Sequence, residues 1–122
     1  MIEPAEIVMQ VELRVQQADP ERLRAVLAEY KRQRRLTEPP PHRAGTIFKD
    51  PPGNDAGRLI EQAGLQGRTH GQAHISTANA NYVVNAGEAR ASDVAALIRE
   101  AHQSVLEQFG VELELDIELR GE

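Results

Sequence analysis

The sequence predicts an α+β fold, a two-layer sandwich of helices packed on a mixed or antiparallel sheet. Three observations predict it. Residues 6–16 and 111–119 alternate apolar and polar side chains with a period of two. Three other segments carry apolar stripes at helical spacing. Strand and helix patterns interleave as β-α-β-α-β-β-α-β, an order that suits helices gathered on one face of a sheet.

The elements follow in order. In residues 6–16, Ile7, Met9, Val11, Leu13 and Val15 form one face, and Val8, Gln10, Glu12, Arg14 and Gln16 the other, which predicts a strand. Asp19-Pro20 opens a helix, because Asp caps free N–H groups and Pro is tolerated at the first helical position. Leu23, Val26, Leu27 and Tyr30 are its stripe, and Pro39-Pro40-Pro41 ends it near Leu36. A loop from Pro41 to Asn54 follows, with a short strand expected at 45–48. Asp55 is placed to cap a second helix carrying Leu59, Ile60 and Ala63, with Gly64 at its C-terminal end. The stretch 65–81 is polar, with a short strand expected from His74 to Ser76. Tyr82 to Asn85 is a better strand, turned by Ala86-Gly87. Ser92 is expected to cap a third helix striped by Val94, Leu97, Ile98, Ala101, Val105 and Phe109, and Gly110 stops it. The last segment sets Val111, Leu113, Leu115, Ile117 and Leu119 against Glu112, Glu114, Asp116 and Glu118, a half-buried strand with a carboxylate face.

Composition narrows the function. The 122 residues imply one domain, 1–122. Fourteen Lys plus Arg against nineteen Asp plus Glu leave a net charge of −5, which argues against a nucleic-acid partner held by phosphate neutralisation. The absence of Cys excludes thiol catalysis, zinc-thiolate sites and Fe–S clusters on protein thiolates. No apolar run reaches membrane-spanning length and the N-terminus lacks signal-peptide features, so no membrane role is expected. With 40% apolar but only 3% aromatic residues, the core must be aliphatic.

Several features invite a chemical reading beside an ordinary one. The C-terminal carboxylates form a solvated face unless a cation or substrate meets them. Lys31-Arg32-Gln33-Arg34-Arg35 is a basic helix end favoured by the helix dipole, or else an anion contact. His42, His70, His74 and His102 lack the arrangement of a metal site, so no metal is expected. Classical phosphate loops are absent. The Arg43–Pro52 loop concentrates Gly, Thr, Lys, Asp and Pro beyond what a connector needs, and is a candidate functional loop.

That loop also carries a resemblance. Ala44-Gly45-Thr46-Ile47-Phe48-Lys49-Asp50-Pro51 resembles the A-G-S-x-F-K-N-P signature of the UDP-N-acetylenolpyruvoylglucosamine reductase (UDP-N-acetylmuramate dehydrogenase, MurB) family. Ala56 to Gly67 is similar to its A-G-x-L-I-E-x-A-G-L-K-G. Gly71 to Ser76, Asn79 to Asn85, Phe109 to Val111 and Leu113 to Asp116 follow further family motifs in register. The resemblance runs from about Ile7 to Gly121 and covers the family's C-terminal, substrate-binding domain. The preceding FAD-binding domains have no counterpart in these residues.

What the resemblance implies is specific. The complete family enzyme uses NADPH to reduce FAD, and the flavin delivers hydride to the enolpyruvyl double bond of UDP-N-acetylglucosamine enolpyruvate, a step of peptidoglycan synthesis in the bacterial cytoplasm. Thr46 stands at the proton donor's place, where the family signature has Ser. Asp116 stands at that of a Glu which, with an Arg of the flavin domain, stabilises the enolate-like intermediate; its carboxylate is one methylene shorter. Lys49, Asp50, Gln66 and Asn79 stand at positions that contact the nucleotide sugar, with Asp50 for Asn and Gln66 for Lys. Arg43 and Arg68 could compensate for the charge lost. This chain alone is expected to bind no cofactor and to need the FAD-binding domains, in the same or a separate chain. The alternative is a stand-alone, non-catalytic nucleotide-sugar-binding or interaction module derived from that domain. A third reading is an oligomeric domain whose strand edge pairs with a copy of itself.

Overall fold

The structure is a computed structural model and describes residues 7–39 and 43–121. The described residues form an α+β fold of three helices and a three-stranded antiparallel sheet. The helices are α1 (Pro20–Thr37), α2 (Ala56–Gln62) and α3 (Ala91–Phe109). The strands are β1 (Thr69–His70), β2 (Ala73–Ile75) and β3 (Val83–Asn85), in the spatial order β1-β2-β3. His70 faces Ala73 across the first turn, and His74 faces Val84 across the second pairing. β1 falls in the polar stretch 65–81 outside the strand expected there, and β2 begins one residue before the strand expected at His74.

Helix α3 packs on β1 and β2 and against α2, and the core lies between them. Leu97, Ile98, Ala101 and Val105 are its buried face, at the spacing of one helical stripe. Ile75 and Val83 meet them from the sheet, and Leu59 and Ile60 from α2. The core is aliphatic apart from Phe48 and Tyr82, in keeping with the low aromatic content. Asp55 caps α2 by accepting from Arg58 N at 2.8 Å. Gly110 ends α3 with a left-handed backbone (φ 67°), a conformation in which Cβ is costly. The cap of α3 is Arg90 rather than Ser92. The Asp93 carboxylate reaches back to accept from the Arg90 N–H at 2.9 Å, and Ser92 lies inside the first turn.

Three strand expectations are corrected. Residues 7–16 form no strand; Met9 is 89% exposed, and Ile7, Val11, Leu13 and Val15 are exposed with it. Glu6 lies outside the described residues. Alternation marks a face fit for burial, but a strand also needs an edge to pair with, and among the described residues none meets this one. The short strand at 45–48 and the long one at 111–119 reduce to a single bridge, Phe48 to Leu115. Leu113 is buried, whereas Leu115 and Leu119 stay partly exposed, so the period survives without the ladder. Helix α1 ends at Thr37 as the prolines demand, yet buries no residue.

Candidate functional site

The bridge at Phe48 brings two distant segments together. Lys49 N donates to Glu114 O at 2.9 Å, and Asp116 N donates to Ile47 O at 2.8 Å. These two backbone bonds fix the register of residues 46–49 against 114–116. In that register the Thr46 hydroxyl donates to Asp116 Oδ2 at 3.0 Å, across 70 residues of sequence. Thr46 is half-buried and Asp116 exposed, so the pair opens to solvent. The two residues assigned catalytic places are therefore in contact on one face.

A cation meets the carboxylate face at the same point. Lys49 Nζ is hydrogen-bonded to Glu114 Oε1. That bond, and the charge behind it, raises the Lys49 pKa above the ordinary lysine value, and the Asp116 carboxylate adds to the effect. An ammonium, a hydroxyl and two carboxylates thus converge on the ends of two short segments.

The loop is held from its other side by Asn81, which is 4% exposed. Its Oδ1 accepts from Phe48 N at 2.9 Å and its Nδ2 donates to Phe48 O at 2.8 Å. Its own carbonyl accepts from Ile47 N at 2.9 Å. A side-chain amide thereby replaces a neighbouring strand, which is why 47–48 is ordered without joining the sheet.

The remaining predicted positions form a second group. Asn79 and Gln66 line an open groove of about 500 Å³ together with Gly57, Arg58, Asp55 and Glu61. Asn79 Oδ1 accepts from Asn81 N at 2.9 Å, which ties this groove to the clamp on the loop. Gln66 Nε2 donates to Thr77 O at 3.1 Å. Asp50 Oδ1 accepts from Ala56 N at 2.9 Å and so closes the turn into α2. Arg43 is engaged elsewhere, bonded to Glu38 at 2.5 Å and lying over the Tyr82 ring, and Arg68 pairs with Glu100 at 2.8 Å. Neither arginine faces the groove as a free cation.

Asn81, Glu114, Gly57 and Arg58 were missed as site residues. Asn81 had a legible signal: a carboxamide set between Ala80 and the apolar Tyr82-Val83-Val84, and a buried polar residue is the informative exception. Glu114 lay in plain view on the polar face, but only the fold shows that Lys49 meets it. Among the described residues no cluster of three or more His, Asp or Glu is placed to hold a metal ion, and no helix is long and apolar enough to cross a membrane. His42 lies outside the described residues.

Fold and geometry define a small α+β domain whose polar groups gather at paired loop ends over an aliphatic core. The sequence model of the UDP-N-acetylenolpyruvoylglucosamine reductase C-terminal domain matches residues 36–120. The UDP-N-acetylenolpyruvoylglucosamine reductase of Chloroflexus aggregans is 45% identical over 111 residues, which cover 91% of this chain and 37% of the relative. That of Caldicellulosiruptor saccharolyticus is 52% identical over 95 residues, covering 77% and 31%. The crystal structure of the UDP-N-acetylenolpyruvylglucosamine reductase (MurB) from Thermus caldophilus matches with a TM-score of 0.74 at 40% identity, over 86% of this chain and 37% of that one. The chain belongs to the UDP-N-acetylenolpyruvoylglucosamine reductase family, matching its C-terminal domain, and it spans less than two-fifths of the length of these relatives.

Proposed function

We propose that this chain serves as the substrate-binding domain of a UDP-N-acetylmuramate dehydrogenase, acting on UDP-N-acetylglucosamine enolpyruvate in the bacterial cytoplasm. The contact between Thr46 Oγ1 and Asp116 Oδ2 is the observation that carries this reading. Hydride addition to the enolpyruvyl methylene leaves negative charge at the carbon next to the substrate carboxylate. The Thr46 hydroxyl gives its proton to that carbon, and the alkoxide left behind recovers a proton from solvent, which reaches this half-buried site. As an acceptor, Asp116 orients the hydroxyl. Lys49 supplies positive charge beside both.

The nucleotide sugar takes the adjoining groove, with Asn79 and Gln66 as hydrogen-bonding groups and Arg58 as its cation. In this reading the hydride comes from reduced FAD, recharged by NADPH, on a flavin-bearing portion outside these residues. The N-terminal amides of Ala56 and Arg58 in α2 are already bonded to the Asp50 and Asp55 carboxylates, so a diphosphate in the groove would rely on the Arg58 side chain and not on the helix end. No step is assigned to a flavin on this chain.

Titrating the chain with UDP-N-acetylglucosamine while recording amide chemical shifts tests the assignment. Shifts at Thr46, Lys49 and Asn79 are expected, and their absence at millimolar ligand would count decisively against it. Mixing the chain with the flavin-binding part of a related reductase should restore NADPH consumption, and Thr46→Val should lower it by about 10²–10⁴-fold. A second reading, a binding module without catalysis, is favoured by the engagement of Asp50 with Ala56 N and of Gln66 with Thr77 O. It predicts nucleotide-sugar shifts without restored turnover.

A further inference from the structure

We infer that Asn81 is a positioning residue whose buried carboxamide sets the Thr46 hydroxyl against Asp116; the functional consequence rests on the reading above, while the geometry does not. Residues 46–48 belong to no strand, so their backbone has no ladder to fix it. Instead the segment is gripped from two sides. On one side Ile47 O and Lys49 N are bonded to Asp116 N and Glu114 O. On the other, Asn81 makes three bonds: Phe48 N to its Oδ1, its Nδ2 to Phe48 O, and Ile47 N to its own carbonyl.

A carboxamide is the side chain that can donate and accept in one plane at this reach, so it satisfies both polar groups of a single peptide residue. Thr46 immediately precedes the gripped pair. Its β-branched side chain has few χ1 wells, and which of them it occupies is set by the backbone of residues 46–48. Removing the grip leaves Phe48 N–H and C=O unpaired in the core, and the loop must turn outward to hydrate them. Asn81 touches neither Thr46 Oγ1 nor Asp116 in the hydrogen-bond network; it acts through Phe48. Its own N–H is held by Asn79 Oδ1, so the same residue joins the loop to the groove.

The test uses the full chain without ligand, which keeps it independent of the functional reading. Three-bond couplings to Thr46 Cγ2 report the χ1 populations. In the native chain they should correspond to a single rotamer. In Asn81→Ala they should average over rotamers, while amide shifts of β2 and the C-terminal half of α3 stay in place. Val105→Ala, a truncation in the same core that removes none of the hydrogen bonds to the loop, should lose stability and keep the single rotamer. The inference is overturned if Thr46 already averages in the native chain, if it stays fixed in Asn81→Ala, or if both variants loosen it alike. Should Asn81→Ala fail to fold, exchange of the native side-chain amide protons decides. Those of Asn81 should exchange at least about tenfold more slowly than those of exposed Asn54, and equal rates would overturn the assignment. A failed nucleotide-sugar titration would remove the functional reading and leave this result standing.

Discussion

Residues 7–37 and residues 43–121 carry apolar patterning of similar quality, and only the second region uses it. Leu23, Val26, Leu27 and Tyr30 on α1 are spaced as regularly as Leu97, Ile98, Ala101 and Val105 on α3. The α3 set is buried, and α1 buries nothing. What differs is what stands opposite. Helix α3 lies over a sheet and beside α2, whereas α1 buries no residue, and its Asp19 cap and Glu29–Arg32 pair at 2.8 Å are contacts local in sequence. Periodicity states which face an element can bury, and topology decides whether it does. The match to the family's C-terminal domain begins at residue 36, at the same boundary where burial begins.

The largest expected effects divide the two regions most sharply. Leu97 is fully buried, and Leu97→Ala should cost about 2–5 kcal/mol through lost burial and a residual cavity. Leu27 is 53% exposed, and Leu27→Ala should shift stability by no more than about 0.5 kcal/mol. Urea denaturation followed by circular dichroism measures both. A comparable loss at Leu27 would mean that α1 packs on something in solution, and the contrast between the regions would fall.

A smaller effect sharpens the contrast within the second region. A methyl group at Gly57 would lie 2.7 Å from Asn79 Oδ1, and one at Gly45 would meet nothing within 4 Å. Gly57→Ala should therefore cost about 1–3 kcal/mol and displace Asn79 from its bond to Asn81 N, and with it weaken the nucleotide-sugar binding proposed for this groove. Gly45→Ala, though next to Thr46, should change stability by no more than about 0.5 kcal/mol. Equal costs would show that the groove yields more easily than its geometry implies.

Caps give a third, still smaller, contrast. Asp55→Ala removes the bond to Arg58 N and should cost about 1 kcal/mol in global stability. Asp19→Ala removes the equivalent bond to Glu21 N at 3.1 Å, but from a helix that contributes nothing to the core. It should lower helical ellipticity without moving the denaturation midpoint.

The local signals of the fold were readable because they act within a few residues. The Asp55 cap, the Gly64 and Gly110 stops and the buried stripe of α3 each rest on neighbours in sequence. The α+β class followed from these elements. What could not be read was pairing. Residues 7–16 and 111–119 both alternate, the second more cleanly because Val8 interrupts the polar face of the first, yet among the described residues one meets no edge and the other pairs only with Phe48. The site divided the same way. The resemblance picked out Thr46 and Asp116, and the polar face of the last segment independently placed Asp116 outward. The register that joins them depends on two backbone bonds and on Asn81, which no local pattern encodes.

Acid titration provides the finest contrast. Both regions hold a carboxyl whose pKa lies below the ordinary value. The bond from the Arg90 N–H does this first for Asp93, aided by His70, and Arg32 and then Gln33 do it for Glu29. The sign is the same for each. A folded-state value below the unfolded one stabilises the structure above the unfolded pKa, about 4, and the contribution fades as pH falls through the folded value. For Asp93 the fading should appear in global unfolding, because its carboxylate secures the first turn of the helix that covers the sheet. For Glu29 it should appear only as lost α1 helicity. Denaturation midpoints measured from about pH 5 to pH 2 should fall less steeply in Asp93→Asn than in the native chain, with Glu29→Gln unchanged from native. The reverse order would place the acid-sensitive contact in α1 and show that the exposed helix, not the body beneath α3, sets the stability of the chain.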